Sequence, residues 1–135
     1  MALEDYTLQN RVGTGGMAEV FRAVGTRGPN KDRVVAVKRL LRKFAADPMY
    51  IDAFVGEADV SRHLRHPAIV SVLETGVEQD TYYIVMEFIE GRDLAQLMKS
   101  AGQHGMKLSV DLCCHIAHVL ALALDYAHRV RTKNG

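Results

Sequence analysis

The sequence is short of several things, and each shortage excludes a class of protein. Its only cysteines, Cys113 and Cys114, are adjacent, and neighbours in sequence do not close a useful disulfide loop. That fits a reducing, cytoplasmic setting better than a stapled secreted scaffold. An excess of one charge is missing too: 17 Lys and Arg face 16 Asp and Glu, a formal net charge of +1. Such a balance offers no electrostatic case for nucleic acid or an anionic membrane. The opening MALEDYTLQN has acids and polar residues where a secretion signal needs a basic start and an apolar core. No uninterrupted apolar run reaches the roughly 18 residues that a membrane helix needs. The longest candidate, LCCHIAHVLALALDYAH at 112–128, is interrupted by His115, His118 and Asp125 and reads as a core helix. Internal repeats and low-complexity stretches are also absent.

What is present is a soluble, globular composition, 48% hydrophobic and 24% charged over 135 residues, enough for one ordinary core. The first third alternates β-prone runs with turns. EVFRAV and RVVAVKRL flank the turn-rich TRGPNKD, and glycines precede the first of them. Asp47 then stands as an N-cap with Pro48 at the first helical position. Ile51, Phe54, Ala58, Ser61 and Leu64 recur at helical spacing, predicting about five turns ended by His66-Pro67. IVSVLETGV and TYYIVMEFI read as two further strands joined through Gly76 and the polar EQD. After Gly91 the pattern is helical: a short segment over 93–100, a loop AGQHGM, and a long helix over 109–128. The composition shift at Glu90-Gly91 divides the chain into 1–90 and 91–135.

GTGGMAEVF, residues 13–21, raises the question of phosphate binding. A dinucleotide-binding turn needs its glycines between a strand and a helix, but here a second strand follows. A Walker-type loop needs Gly-Lys-Ser or Gly-Lys-Thr at its end, and this one has Met17-Ala18-Glu19. The remaining option is a loop between antiparallel strands of the form G-x-G-x-x-G-x-V, where Gly13, Gly15 and Val20 match and Ala18 replaces the last glycine. Small residues suit it because backbone N–H groups must approach the phosphates. Glycines also collect in ordinary turns, so the loop alone decides nothing.

Its companions decide more. VAVK at 35–38, Glu57 within the predicted helix, His66-Pro67 with Ile69 and Val70, and M-E-F-x-x-G-x-D-L over 86–94 follow in order. Singly, Lys38 is a solvated strand lysine and Glu57 a surface glutamate. Together the motifs resemble a eukaryotic-like protein kinase, and GTGGMAEVF with EADVSRHLRHPAIV is most similar to the bacterial serine/threonine branch. The resemblance spans about Tyr6 to His128. It implies an α+β fold: a kinase small lobe of five antiparallel strands plus one long helix over 1–90, then the first helices of a mainly α large lobe.

The resemblance further implies roles. Gly13, Thr14, Gly15, Gly16, Met17, Ala18 and Glu19 would cover the phosphates of ATP, with Val12, Val20 and Ala36 roofing the adenine. The Glu87 carbonyl and Ile89 N–H would bond the adenine edge, Met86 would be the gatekeeper, and Asp93 would contact the ribose. Lys38 would hold the non-terminal phosphates and Glu57 would hold Lys38. Two positions depart from the family pattern. Ser61 stands where a larger apolar residue is usual in the column tying the lobes, and Ala68 stands where His-Pro-Asn is common.

The H-R-D-x-x-x-x-N and D-F-G segments, which supply the substrate-orienting aspartate and the ligands of Mg2+, are not in these 135 residues. His128-Arg129-Val130 does not replace the first, having valine for the aspartate and no asparagine at the right distance. No residue here is therefore assigned to metal. The expectation is the ATP-binding portion of a serine/threonine kinase, inactive alone, whose protein substrate is unspecified. The apolar Leu112, Ile116, Val119, Leu120 and Leu124 of the long helix would ordinarily pack against further segments. The alternatives are a non-catalytic nucleotide-binding or regulatory module and a purely structural interaction domain, the latter having no need of the loop and lysine together.

Overall fold

The computed structural model describes residues 2–130. Five strands, β1 (Tyr6–Thr14), β2 (Ala18–Gly25), β3 (Val34–Leu40), β4 (Val72–Glu78) and β5 (Thr81–Glu87), pair antiparallel in the order β1-β2-β3-β5-β4. Helix α1 (Pro48–Arg62) lies between β3 and β4 in sequence, and α2 (Leu94–Gln103) and α3 (Val110–Arg129) follow the sheet. The chain divides into two compact units. One runs up to Arg65 and resumes over Val70–Phe88; the other takes His66–Ile69 and everything from Ile89 onward. The sequence boundary at Glu90-Gly91 falls two residues beyond the later of these divisions.

In the first unit, the alternation of a strand sends successive side chains to opposite faces of the sheet. On one face Tyr6, Ala23, Val35, Val37, Tyr83 and Val85 form a buried cluster. On the other, Ala18, Leu40, Val72 and Ile84 pack against Phe54 and Ala58 of α1. Phe54 and Ala58 are one helical turn apart, so a single stripe of α1 meets the sheet. Asp47 caps α1, its Oδ1 accepting from the Met49 N–H at 3.0 Å, with Pro48 following as the sequence predicts.

Helix α1 stops at Arg62, about a turn before the proline. The reason is local: the His63 ring Nδ1 donates to the Asp59 carbonyl at 2.7 Å, and the His63 N–H turns to Val60 and Ser61. Gly76 is not in the β4–β5 connection. It lies within β4 opposite Tyr83, and a Cβ there would sit 2.3 Å from the Tyr83 hydroxyl. The turn itself is Gln79-Asp80, both at positive φ (47° and 58°).

The two edge strands are linked by side chains. Tyr6 on β1 donates to Glu74 Oε2 on β4 at 2.8 Å, and Asn30, itself buried, donates to the Tyr6 hydroxyl at 2.9 Å. Burial, above all, and the nearby Glu74 carboxylate push the phenols of Tyr6 and Tyr83 up to about 12, while the Asn30 hydrogen bond pulls Tyr6 the other way.

In the second unit α2 continues to Gln103, through residues that the sequence reading assigns to a loop. Its stop is Gly105 at φ +65°, where Gly105 N–H reaches the Gly102 carbonyl and Met106 N–H the Ala101 carbonyl at 2.8 Å, a Schellman ending. Ser109 caps α3. The core-helix reading of α3 is not what the described residues show, because only Ala123 is buried along its 20 residues. Ile116, Val119, Tyr126 and Ala127 share that stripe, half-buried, while Leu112, Leu120, Leu122 and Leu124 are exposed. By length and composition α3 could also cross a membrane. His66 stacks on Tyr126 with ring centroids 5.2 Å apart, and its Nδ1 accepts from the Ala68 N–H at 3.1 Å. Ala68 thus still makes a bond with its backbone where an asparagine side chain is usual.

Candidate functional site

The glycine stretch closes a hairpin. Gly13 pairs with Val20 and Thr14 with Glu19, and the Gly15 N–H bonds the Ala18 carbonyl at 2.7 Å across the tip. Val12, nearly half exposed, sits at a register irregularity between Arg11 and Gly13. None of Gly13, Gly15 or Gly16 has a positive φ. A Cβ on Gly13 or Gly15 would meet its nearest neighbour at 3.9 or 3.6 Å, and on Gly16 would meet nothing within 4 Å. The chain's own packing therefore places no demand for glycine at these positions, in contrast with Gly25, where a Cβ would lie 1.9 Å from the Asn30 carbonyl oxygen.

The register assembles the remaining side chains on one sheet face. Val20 is opposite Lys38 and Arg22 opposite Ala36; across β3's other edge, Lys38 faces Ile84 and Ala36 faces Met86. Val20, Ala36, Lys38 and Met86 thus lie together on the face that receives α1, with Met17 and Met86 packed at the margin of its core. Glu57 follows Phe54 by three residues on α1, so it emerges beside the buried stripe. Lys38 Nζ meets both Glu57 carboxylate oxygens at 2.6 Å and lies 5.7 Å from the Phe54 ring centroid. The lysine side chain is 19% exposed and the glutamate 46%. A half-exposed ion pair of this kind contributes about 0–1 kcal/mol to stability, so stability is a weak reason for its presence.

Two predicted residues are engaged elsewhere. Glu19, opposite Arg39 rather than Lys38, pairs with the Arg39 guanidinium at 2.7 Å on the other face of the sheet, with Arg11 at 3.7 Å. Its side chain does not join the lysine. Asp93 is the N-cap of α2, Oδ1 accepting from the Gln96 N–H at 2.7 Å. Glu87 is held at the end of β5 by Ser71, whose N–H reaches Glu87 Oε1 at 2.7 Å and whose carbonyl accepts the Glu87 N–H at 3.0 Å. Ile89, in the second unit, is exposed. Among the described residues no three His, Cys, Asp or Glu side chains gather as a metal-binding group.

Sequence reading passed over Arg22. It bonds Gln9 on β1, and its guanidinium lies over the ring of Phe88 at 5.6 Å. The available signal was its two-residue step from Val20, which puts it on the same face.

These features define a kinase small lobe, and comparison with known proteins agrees. The sequence profile of the protein kinase domain matches residues 6–132, and the chain belongs to that family. It is 39% identical over 128 residues to a probable serine/threonine-protein kinase of Streptomyces coelicolor, covering 92% of this chain and 18% of that one. It is 36% identical over 123 residues to the serine/threonine-protein kinase PknA of Mycobacterium tuberculosis, covering 87% and 28%. It is 30% identical over 130 residues to the tyrosine-protein kinase MasK of Myxococcus xanthus, covering 96% and 20%. The crystal structure of the Mycobacterium tuberculosis PknI kinase domain superposes with a TM-score of 0.74 at 30% identity, covering 96% of this chain and 50% of that one. The chain thus spans under a third of these curated relatives and half of a solved kinase domain. These relatives are bacterial, and the five-stranded sheet with helices is that of the kinase small lobe and the start of the large lobe.

Proposed function

We propose that this chain carries the ATP-positioning portion of a protein kinase that transfers the terminal phosphoryl group of ATP to protein serine or threonine hydroxyls. The observation that carries the reading is the Lys38–Glu57 contact, 2.6 Å to each carboxylate oxygen, on the sheet face shared with Val20 of the glycine hairpin. An ammonium fixed in advance loses little freedom when it meets a phosphate, and it stabilises charge that develops in phosphoryl transfer. The hairpin supports the same reading. Three glycines that the protein's own packing does not require are explained by a ligand whose phosphates approach backbone N–H groups.

In this reading Gly13 to Val20 cover the phosphates, Val12, Val20 and Ala36 roof the adenine, and Met86 is the gatekeeper. The main chain at Glu87 and Ile89 bonds the adenine edge, and Asp93 serves the ribose while also capping α2. Mg2+ accompanies the nucleotide, with its ligands supplied by segments outside these 135 residues. The acceptor is serine or threonine on the weight of the serine/threonine-protein kinases at 36% and 39% identity, against the tyrosine-protein kinase at 30%. The setting is cytoplasmic. By itself the 135-residue chain, without a substrate-orienting aspartate, transfers no phosphate.

The test is phosphoryl transfer by the intact protein containing this sequence. Lys38→Met should fold normally by circular dichroism and lose about a hundred- to several-thousand-fold in turnover, the equivalent of roughly 3–5 kcal/mol in the transition state. Normal folding with near-wild-type turnover would overturn the reading.

A further inference from the structure

We infer that Arg22 is a positioning residue for the adenine end of the nucleotide site, acting through Phe88; the inference rests on the ATP reading above. In sheet order, Arg22 on β2, Ala36 on β3 and Met86 on β5 stand in one row across the face that carries Lys38. Phe88 is two residues past Met86, so the alternation of an extended chain returns its side chain to that face. There the Arg22 guanidinium lies over the phenyl ring at 5.6 Å, within the range of a cation–π contact. The same guanidinium bonds the Gln9 side chain on β1, which leaves it little freedom to swing away.

The position of Phe88 gives the contact its meaning. Its peptide units connect the Glu87 carbonyl to the Ile89 N–H, the two backbone groups that the ATP reading assigns to the adenine edge. On the upstream side Glu87 is already held, by Ser71 on both its N–H and its carboxylate and by pairing with Val35. Downstream, Ile89 and Glu90 are exposed and outside any strand. Arg22 thus holds the first residue beyond the strand, and holds it by the side chain, leaving the main chain available. A backbone segment ordered in advance binds its ligand without the cost of ordering it later. Arg22 need not touch the nucleotide to do this.

The role predicts which kinetic constant changes, and for which nucleotide. In the intact protein, Arg22→Ala should raise KM for ATP by about two- to fivefold, the range of a partly exposed cation–π contact, with kcat unchanged. Because the ordered backbone reads the base edge, KM for GTP should rise less, and the preference for ATP over GTP should narrow. Phe88→Ala should reproduce the effect, and the double variant should be no worse than either single one, since each removes the same contact. Arg22→Lys should recover part of the loss, keeping a cation over the ring but not the planar fork that also reaches Gln9. Circular dichroism confirms folding, and Phe88→Tyr, which keeps the ring, should match the wild type. An unchanged KM for ATP in Arg22→Ala would overturn the inference while leaving the ATP reading intact. So would equal rises for ATP and GTP, or full additivity of the two alanine variants. A wild-type protein that does not bind ATP would remove the ATP reading and this inference together.

Discussion

Lys38 on β3 and Glu57 on α1 meet through both carboxylate oxygens at 2.6 Å, 19 residues apart in sequence and joined by no other polar contact between their elements among those described. The pair therefore couples the position of α1 to the position of one ammonium group. On the ATP reading, Glu57→Gln should keep the Lys38 charge proposed to meet phosphate but weaken its anchor, giving a smaller loss of turnover than Lys38→Met. The double variant should lose no more than Lys38→Met alone, because Glu57 then has nothing to hold. Turnover of the three variants in the intact protein checks this. A double variant whose loss equals the sum of the singles would show that Glu57 acts elsewhere.

Glycines offer a contrast within one molecule. Gly16→Ala should leave stability within about 0.5 kcal/mol of wild type, since an added Cβ meets nothing and the backbone is unstrained. On the ATP reading, nucleotide affinity should nevertheless fall, because the methyl group would occupy space that the phosphates are proposed to approach. Gly25→Ala should do the reverse: the Cβ would collide with the Asn30 main chain at 1.9 Å, costing about 1–3 kcal/mol by overpacking, with little direct effect on nucleotide. Urea titration and nucleotide binding, measured on both variants, separate the two kinds of glycine.

The Tyr6 hydroxyl both accepts from Asn30 and donates to Glu74, tying the turn before β3 and the two sheet edges at one atom. Tyr6→Phe takes from the buried Asn30 amide its bond to the phenol and from the Glu74 carboxylate one of its hydrogen bonds, a loss of about 1–3 kcal/mol. The pH dependence has a definite sign. Both phenols are pushed up to about 12 in the folded protein, against about 10 when unfolded, so folding favours the protonated form. This stabilisation is fully present below pH about 10 and is lost as pH rises towards about 12. Over that window stability should fall less steeply in Tyr6→Phe than in wild type, as read from urea midpoints. Parallel slopes would remove Tyr6 from the account.

The parts of the fold that were legible in sequence are those built from local pattern. The β-branched alternation at 34–40, the Asp47-Pro48 start and the beginning of the long helix at about Ser109 each rest on a few neighbouring residues, and each appears where the pattern puts it. Helix ends were harder, because they turn on single bonds. The His63 ring competes for the Asp59 carbonyl, and the left-handed stop of α2 comes at Gly105, after the helix has run on into the expected loop. Contacts across the sheet were not legible at all. Tyr6 and Glu74 are 68 positions apart and lie on opposite edges, so no spacing rule connects them. The pairing of Lys38 with Glu57 was legible only through the order and spacing of several kinase motifs. The engagement of Glu19 by Arg39 was not, because it depends on which face each residue takes in the β2–β3 register.

The excursion of His66–Ile69 into the second unit bears on how this protein can be taken apart. A single cut at Phe88–Ile89 looks like a natural place to divide the chain for expression, yet it would leave His66 on one product and its stacking partner Tyr126 on the other. The two pieces are interlaced in sequence rather than laid end to end. Each product of such a cut would carry a surface meant for the other, so co-expression of both halves, or a permuted gene that keeps 66–69 with α3, is the sounder route to soluble pieces.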